Sequence, residues 1–386
     1  MLSILRNATV YAPQALGRQD LVVGGGRILW LGPSAPRLPR ELLAVDRDLE
    51  GRRLIPGLVD CHVHVTGGGG EAGFASRVPP LGLRRFTEAG VTSVVGLLGT
   101  DDTARSTAEL LATTRALCEQ GMSAWCWTGG YHVPPATLTG SVRGDIVHLD
   151  RVIGVGEVAV SDHRSSQPTL DEILRLAADA HVGGMMTGKA GVLHLHVGDG
   201  ERGLELVWSA LESSELPARV FHPTHVNRRK ALFDEALSLA ERGCTVDVTA
   251  FPVAEGEDAW SADEALLRYL DSGLPPERIT VSSDGGGGLP VFDAAGRVAS
   301  MDVGRPAALS ACLRRLLVRG RPLEQVLPAF SSNVAAHLRL PGKGRIAAGA
   351  DADLVVLAEG GEVTEVMLGG AWQQGSERES LTPHNA

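Results

Sequence analysis

The sequence predicts an α/β protein, a (β/α)8 TIM-like barrel with a small β-sandwich domain built from both chain ends. Three observations support this fold class. Short β-branched apolar runs alternate with helical patterns through the middle of the 386-residue chain. There are eight such runs, the number of strands in a (β/α)8 barrel. The two flanks instead alternate apolar and polar residues around turn signals, which is typical of antiparallel strands.

Each predicted barrel strand is an apolar run that ends in polar or Gly-rich residues. The intervening stretches, such as LDEILRLAADAHVGG, place apolar residues three and four positions apart, as amphipathic helices do. Strands that alternate with crossover helices form a parallel sheet, and eight units favour a closed barrel over an open sheet. The eight runs lie near Leu58–Val65, Val91–Gly99, Met122–Gly129, Val152–Val160, Gly191–Gly198, Arg219–Val226, Cys244–Phe251 and Arg278–Gly285.

The flanking segments predict the domain organisation. Residues 1–55 and 341–386 are β-rich and are expected to pair into one small domain, since chain ends often lie close together. Residues 56–340 form the predicted catalytic barrel. The final segment, QGSERESLTPHNA, is polar and is expected to fray.

Composition excludes several classes of protein. The net charge of −10 argues against nucleic acid and anionic membrane surfaces, which both require clustered positive charge. No apolar run approaches a membrane span, and the first residues lack a signal-peptide pattern. The five cysteines are scattered and odd in number, which favours free thiols in a reducing cytoplasm.

Candidate metal ligands stand at the predicted strand ends, which converge on one mouth of a barrel. His62 and His64 are two residues apart, so both side chains point to the same face of the first strand. The fifth strand carries His194 and His196 with the same spacing, and the residues alone do not decide between them. Glu157, His225 and Asp284 complete a set of nitrogen and oxygen donors of the kind that Zn²⁺ and related divalent ions prefer.

Long motifs connect the chain to a known family. The segments PGLVDCHVHV, THVNR, SSDG and GADADLVVL, in this order, resemble the amidohydrolase superfamily. Within it, HVHVTGGGGEAG, GVTSVVGLLGTD, GGYHVP, VSDHRS and HVGD resemble the isoaspartyl (β-aspartyl) dipeptidase family. The resemblance covers most of the chain. It implies a (β/α)8 barrel with a small β domain, metal-dependent hydrolysis of β-aspartyl dipeptides at a zinc centre, and a cytoplasmic homo-oligomer.

The resemblance also implies roles for the candidate ligands. His62 and His64 would bind the more buried of two metal ions, and the HVGD motif favours His196, with His225, as ligands of the second. Asp284 would ligate the first ion and act as general base and then general acid.

One position departs from the family pattern. Where relatives carry a lysine that CO2 converts into a bridging carbamate, this chain has Glu157 in a segment one residue longer. We expect two Zn²⁺ ions bridged by the Glu157 carboxylate. The alternatives are a weak or empty second site, a Glu157 that does not touch metal, and a bridging lysine elsewhere, with Lys189 as the candidate.

The remaining motif residues imply how a small dipeptide would bind. Glu71 would hold the free α-amino group, and Tyr131 would donate its hydroxyl to the developing oxyanion. Two arginines would bind substrate carboxylates, which the guanidinium fork does well. A second departure places glycine where the family has a serine that contacts a carboxylate. The expected substrate-binding residues are Glu71, Gly69, Thr100, Arg164, Arg228 and Gly288.

Two other functions stay open from the sequence. One is a different amidohydrolase reaction on a C–N bond, such as N-acyl-amino-acid deacylation or the opening of a cyclic amide. The other is a catalytically inactive barrel that serves as a binding subunit. The two arginines and Glu71 favour a doubly charged substrate that carries an amino group, and the intact histidines argue against an inactive barrel.

Overall fold

A computed structural model describes residues 1–292 and 298–373. The predicted polar tail, residues 374–386, lies outside the described residues. The strands are β1 (Leu2–Tyr11), β2 (Ala15–Gly24), β3 (Arg27–Gly32), β4 (Leu43–Asp48), β5 (Arg53–Pro56), β6 (Leu58–Val63), β7 (Val91–Gly96), β8 (Ser123–Thr128), β9 (Val152–Val160), β10 (Val192–Val197), β11 (Phe221–Thr224), β12 (Val246–Thr249), β13 (Ile279–Ser282), β14 (Gly288–Phe292), β15 (Val298–Val303), β16 (Leu354–Leu357), β17 (Val363–Leu368) and β18 (Ala371–Trp372).

The α-helices follow the barrel strands and vary in length. The two shortest, α1 and α9, are single turns. Because α1 follows the first barrel strand, β6, the crossover from β6 to β7 is mostly loop. The helices are α1 (Leu83–Thr87), α2 (Thr107–Glu119), α3 (Val142–His148), α4 (Leu170–Thr187), α5 (Glu205–Ser213), α6 (Lys230–Arg242), α7 (Ala262–Asp271), α8 (Ala307–Val318), α9 (Leu323–Val326) and α10 (Ser332–His337).

The eight strands β6 to β13 form the barrel, each within its predicted range. Strands β6 to β11 make a parallel sheet in sequence order, and β12 pairs with β13 in parallel. The amide of Val226 donates to the carbonyl of Asp247 at 3.3 Å, which joins the end of β11 to β12. The amide of His64 donates to the carbonyl of Gly285 at 2.9 Å and closes the ring. The predicted barrel fold is therefore confirmed.

Buried aliphatic residues on these strands explain why the barrel forms. Strand β9 is buried along its whole length, as expected for a strand covered on both faces. Helix α4 illustrates the outer layer. It begins with a capping box between Thr169 and Glu172 and ends at Gly188, whose φ of 74° is accessible to glycine at little cost.

Strands from both ends of the sequence form one eight-stranded sheet outside the barrel. Its order is β18-β17-β16-β5-β1-β2-β3, with β4 paired to the first half of β1. Strand β5 pairs with β16 in antiparallel register, Ile55 opposite Val355, and so connects the two ends. The sheet buries its own apolar cluster, separate from the barrel core. We propose residues 56–340 as the catalytic barrel, since β6 begins at Leu58 and α10 ends at His337.

The sequence analysis missed one element. Strands β14 and β15 form an antiparallel hairpin after the last barrel strand, with Gly288 opposite Val303. This hairpin extends the wall of the barrel mouth, as described below. Among the described helices, none has both the length and the apolar composition that crossing a bilayer requires.

Candidate metal centre and active site

Two overlapping groups of buried donors lie at the mouth of the barrel. His62, His64 and Asp284 place one ligand atom each within 4.8 Å of one another, and His62, Glu157 and His225 do the same. His62 and Glu157 are at most 1% exposed. Barrel strands β6 and β9 position them, because alternate residues of each strand point inward.

Glu157 belongs to the second group and also lies close to histidines outside it. Its Oε1 is 3.5 Å from His64 Nε2, and its Oε2 is 3.0 Å from His196 Nδ1 and 3.6 Å from His225 Nε2. Oε1 thus faces a histidine of the first strand, whereas Oε2 faces histidines of the fifth and sixth strands and also His62 Nε2 of the first strand, at 3.5 Å. A carboxylate shared among histidines of three strands could bridge two ions.

The donor set fits divalent cations. His62 Nε2 and Asp284 Oδ1 are buried and have no hydrogen-bond partner among the described residues. An orphaned buried nitrogen and an orphaned carboxylate oxygen are costly unless another group binds them. They lie 3.6 Å apart, and imidazole and carboxylate are the ligand types found in zinc centres.

The electrostatics of the two carboxylates differ. Burial would raise the pKa of Asp284, but the imidazoles of His62 and His64 outweigh it and hold that pKa below its ordinary value. Burial raises the pKa of Glu157 well above its ordinary value, and the charge of Asp284 adds to the shift. A cation beside Glu157 would favour its ionised form.

The structure separates the two histidines of the fifth strand. His196 faces Glu157, whereas His194 lies behind the centre with its Nε2 2.8 Å from His62 Nδ1. Lys189, the alternative bridging lysine, donates instead to the carbonyls of Ile146 and Leu149, at 2.6 Å each.

A cavity of about 410 Å³ opens onto this centre. All of the residues expected to bind substrate line it, together with several of the expected ligands. The hairpin missed by the sequence analysis supplies part of the wall. The lining residues are His64, Gly69, Glu71, Gly99, Thr100, Tyr131, Glu157, Arg164, His196, Asp199, His225, Arg228, Phe251, Pro252, Glu257, Asp284, Gly288, Leu289, Val291 and Asp302.

Glu71 offers an acceptor to this cavity. Thr100 Oγ1 donates to its Oε1 at 3.1 Å, while its Oε2 is buried with no hydrogen-bond partner among the described residues. A Cβ added at Gly288 would lie 3.4 Å from that Oε2, so a side chain at this position would contact the carboxylate. The arrangement suits a cationic amino group.

Tyr131 lies against the ligand histidine His196, with its hydroxyl 2.9 Å from Nδ1. Burial raises the pKa of Tyr131 well above its ordinary value, so the phenol keeps its proton. The guanidinium of Arg164 lies 5.5 Å from the centroid of the Tyr131 ring. Arg164 Nη1 also lies 3.5 Å from Glu71 Oε1, so the hydrogen-bond donors of this wall adjoin the glutamate.

The sequence analysis did not single out Asp162. Its carboxylate accepts from Arg164 Nη2 at 2.7 Å and from Arg164 Nε at 3.0 Å, and it lies 3.1 Å from His196 Nε2. Burial would raise the pKa of Asp162, but the hydrogen bonds from His196 and Arg164 lower it below its ordinary value. Asp162 therefore orients both a candidate metal ligand, His196, and an arginine expected to bind substrate, Arg164. An acidic residue two positions before Arg164, at the end of β9, was the available signal.

The barrel and its mouth define a class of metal-dependent hydrolases. The chain belongs to the amidohydrolase family, whose family model matches residues 53–372. A structure of β-aspartyl dipeptidase from Fervidobacterium islandicum AW-1 in complex with β-Asp-Leu is 41% identical, with 96% of each chain covered and a TM-score of 0.90. A second structure of that enzyme gives a TM-score of 0.88. The prediction of an amidohydrolase-family enzyme related to β-aspartyl dipeptidases is confirmed.

Other similar proteins match at low identity or over only part of their length. N-acetylglucosamine-6-phosphate deacetylase from Pasteurella multocida is 14% identical with a TM-score of 0.64, which shows the fold alone. Imidazolonepropionase from Paraburkholderia phymatum is 34% identical over 122 residues, and that from Paracoccus denitrificans is 46% identical over 52. These matches span 30% and 13% of the two relatives' lengths.

Proposed function

We propose that this protein hydrolyses the β-peptide bond of isoaspartyl dipeptides at a centre that holds Zn²⁺. The cavity carries the proposal, because it combines the ligand cluster with an acceptor for an amine and two arginines for carboxylates. An isoaspartyl dipeptide carries one free α-amino group and two carboxylates. The 41% identity to a β-aspartyl dipeptidase, over 96% of both chains, supports the same conclusion.

The expected ligands divide between two ions. His62, His64 and Asp284 would hold one, His196 and His225 the other, and Glu157 would bridge them. Ions bound there would lower the pKa of a water molecule and polarise the scissile carbonyl. The bridge needs no carbamate, because Glu157 already supplies a carboxylate at the end of the fourth barrel strand.

Asp284 is the proposed proton carrier. It lines the cavity, and its pKa is held below the ordinary value, so it begins the reaction as a base. It would take a proton from the attacking water and deliver it to the leaving amine.

Tyr131 would stabilise the oxyanion. Its hydroxyl reaches the cavity beside His196 and stays protonated, so it donates a hydrogen bond as charge develops on the carbonyl oxygen.

Three charged side chains would recognise the substrate. Glu71 would accept hydrogen bonds from the α-amino group through its orphaned Oε2, with Gly69 and Thr100 beside it. Arg164 and Arg228 would bind the two carboxylates. Gly288 offers no side-chain contact, which would alter the preference for the second residue relative to relatives with serine.

A substrate panel tests the proposal against its rivals. We expect turnover of β-Asp-Leu with added Zn²⁺ and none of α-Asp-Leu, an N-acetyl amino acid or imidazolonepropionate. Faster turnover of either of the last two would replace the proposal with deacylation or cyclic-amide hydrolysis. Purified protein with no activity on any substrate and no bound metal by elemental analysis would favour the inactive barrel.

The family resemblance further supports a cytoplasmic homo-oligomer that binds no nucleic acid and no membrane. The net charge of −10 supports the last two expectations. The five cysteines are free in the structure.

A further inference from the structure

A chain of buried hydrogen bonds runs from the ligand His62 into the barrel interior. His62 Nδ1 lies 2.8 Å from His194 Nε2, and His194 Nδ1 lies 3.0 Å from His222 Nδ1. His222 Nε2 lies 3.2 Å from Thr280 Oγ1, which donates to Asp247 Oδ1 at 2.6 Å. All five residues are fully buried.

With the Asp247 carboxylate ionised, the chain has one self-consistent direction. A neutral imidazole has one donor nitrogen and one acceptor nitrogen. Asp247 is the terminal acceptor, because it also accepts from Thr224 and Ser282. Thr280 then donates to Asp247 and accepts from His222 Nε2–H. It follows that His222 Nδ1 accepts from His194 Nδ1–H.

The last link sets the state of the metal ligand. Because His194 carries its proton on Nδ1 and donates it in a hydrogen bond to His222, its Nε2 can only accept a hydrogen bond. His62 must therefore carry its proton on Nδ1. The lone pair of His62 then lies on Nε2, the orphaned nitrogen that faces Asp284 and Glu157. This is the tautomer that ligation through Nε2 requires.

We propose that the chain His194–His222–Thr280–Asp247 fixes the tautomer and orientation of His62 and thereby tightens metal binding at the first site. These four are positioning residues, and the inference rests on the proposed metal centre. Partners that hold the second ring nitrogen of a ligand histidine raise its basicity and fix its ring. The usual partner of a ligand histidine is one carboxylate or carbonyl; here it is His194, supported by His222.

Hydrogen bonds account for another group of donors among the same residues. Cys61, His222 and Asp247 approach one another within 4.8 Å. Both nitrogens of His222 are engaged in the chain, and Asp247 accepts from three hydroxyls and from the Cys61 thiol at 3.3 Å. No nitrogen or oxygen of His222 or Asp247 is among the buried polar atoms without a partner.

A matched pair at His194 tests the chain. In the parent protein the ring of His194 stacks on Trp127, with 5.1 Å between the two centroids. His194→Phe keeps a ring at this position but removes the Nε2 acceptor. His194→Gln keeps an acceptor near the Nε2 position. We expect His194→Phe to weaken Zn²⁺ binding about 10–100-fold, in competition with a chromophoric chelator, and His194→Gln to recover most of the loss. Circular dichroism of the metal-free proteins checks that each variant is folded.

A second pair tests the far end of the chain without disturbing a ring. Thr280→Val and Thr224→Val each remove one hydroxyl donor to Asp247, but only Thr280 also accepts from His222. We expect weaker Zn²⁺ binding in Thr280→Val and an unchanged affinity in Thr224→Val. A shift of the His62 ring in ¹⁵N NMR away from the Nδ1–H tautomer should accompany the loss.

The outcomes separate this inference from the proposed function. A folded His194→Phe variant that binds Zn²⁺ as tightly as the parent overturns the inference, and so does equal weakening by Thr280→Val and Thr224→Val. A parent protein that binds no Zn²⁺ overturns both proposals. If the variants show the expected Zn²⁺ affinities but the parent protein leaves β-Asp-Leu intact, the role of the hydrogen-bonded chain is supported and the dipeptidase assignment is overturned.

Discussion

At the scale of single residues, Glu157 occupies the position where we expect this chain to depart from its family pattern. A lysine carbamate is assembled from CO2, whereas a glutamate carries its carboxylate permanently. Its two oxygens face histidines from three different strands, at 3.0 to 3.6 Å. Two cations a few ångströms apart repel strongly in a buried site, so an anion between them has a large electrostatic effect.

We therefore expect Glu157→Gln to lose at least one metal ion and at least about tenfold in turnover, since it keeps the shape but removes the charge. Elemental analysis and kcat on β-Asp-Leu check this. Glu71→Gln is the matched control in the same cavity. It should raise KM and leave metal content unchanged. Equal metal content and turnover in Glu157→Gln and the parent would remove Glu157 from the centre.

Asp284 carries the second prediction at this scale. Asp284→Asn should keep metal but lose on the order of 10²–10⁴-fold in kcat, because an amide cannot accept and return a proton. Asp302→Asn is the control, since Asp302 lines the same cavity but is exposed and bonds its neighbour Val303. Turnover of Asp284→Asn near that of Asp302→Asn would contradict the proposed role.

Strand-end reasoning from the sequence located the candidate ligands because β-strand alternation fixes which side chains point inward. It could not locate Asp162 or the hydrogen-bonded chain behind His62. Those contacts depend on how neighbouring strands align in register, for example His194 opposite His222 between β10 and β11. Inter-strand register is a tertiary property that no local pattern in one strand records.

At the scale of elements, helix α4 shows how a local sequence signal sets a boundary. Thr169 accepts from the backbone of Glu172, and Glu172 accepts in return from the backbone of Thr169. Both bonds satisfy amides that the first turn of a helix leaves unpaired. The helix spans the outside of the barrel beside β9 and β10, so its start affects the two strands that carry Glu157 and His196.

We expect Thr169→Ala to lower the free energy of unfolding by about 0.5–2 kcal/mol, the usual cost of losing such a cap. Urea unfolding followed by circular dichroism measures it. Thr187→Ala makes the same change at the other end of the helix, where the hydroxyl donates to the Gly183 carbonyl at 2.8 Å and accepts from the Lys189 amide at 3.3 Å. It should cost less than Thr169→Ala, because the bond from the Lys189 amide is long and alanine is the better helix former. Equal losses in the two variants would show that the cap is not the cause.

The hairpin of β14 and β15 shows the limit of pattern reasoning for elements. LPVF and VASMDV both carry alternating residues that a hairpin prediction could use. The eight predicted strands end near Gly285, and no element was predicted for these residues. The hairpin matters for function, since Leu289, Val291 and Asp302 line the cavity.

At the scale of the whole molecule, three apolar clusters hold the fold together. The largest packs the barrel strands against the outer helices, a smaller one joins barrel-strand residues such as Val59 to α10 residues such as Val334, and the third lies within the sheet built from both ends of the sequence. None of them depends on the ligand cluster at the mouth. A chain of this size buries enough apolar surface to fold without a metal.

We therefore expect chelation to abolish activity while the far-UV circular dichroism spectrum stays unchanged. The melting temperature should fall, because a ligand present at about 1,000 times its Kd stabilises the native state by roughly 4 kcal/mol. Restoring Zn²⁺ should restore both activity and melting temperature. Loss of secondary structure on chelation at room temperature would show instead that the metal is needed for folding.

The pairing of β5 with β16 has a consequence for synthesis in the cell. Ile55 leaves the ribosome about 300 residues before Val355, its partner in the sheet. At 5–20 residues per second, this delay lasts roughly 15–60 s. Throughout that interval one edge of β5 has no strand paired with it. Leu54 and Ile55, which are fully buried in the folded protein, then lack the contacts that β16 provides. The nascent chain therefore exposes an unpaired, aggregation-prone strand edge to neighbouring nascent chains on a polysome. It does so for most of the time between the synthesis of the first residues and that of β16.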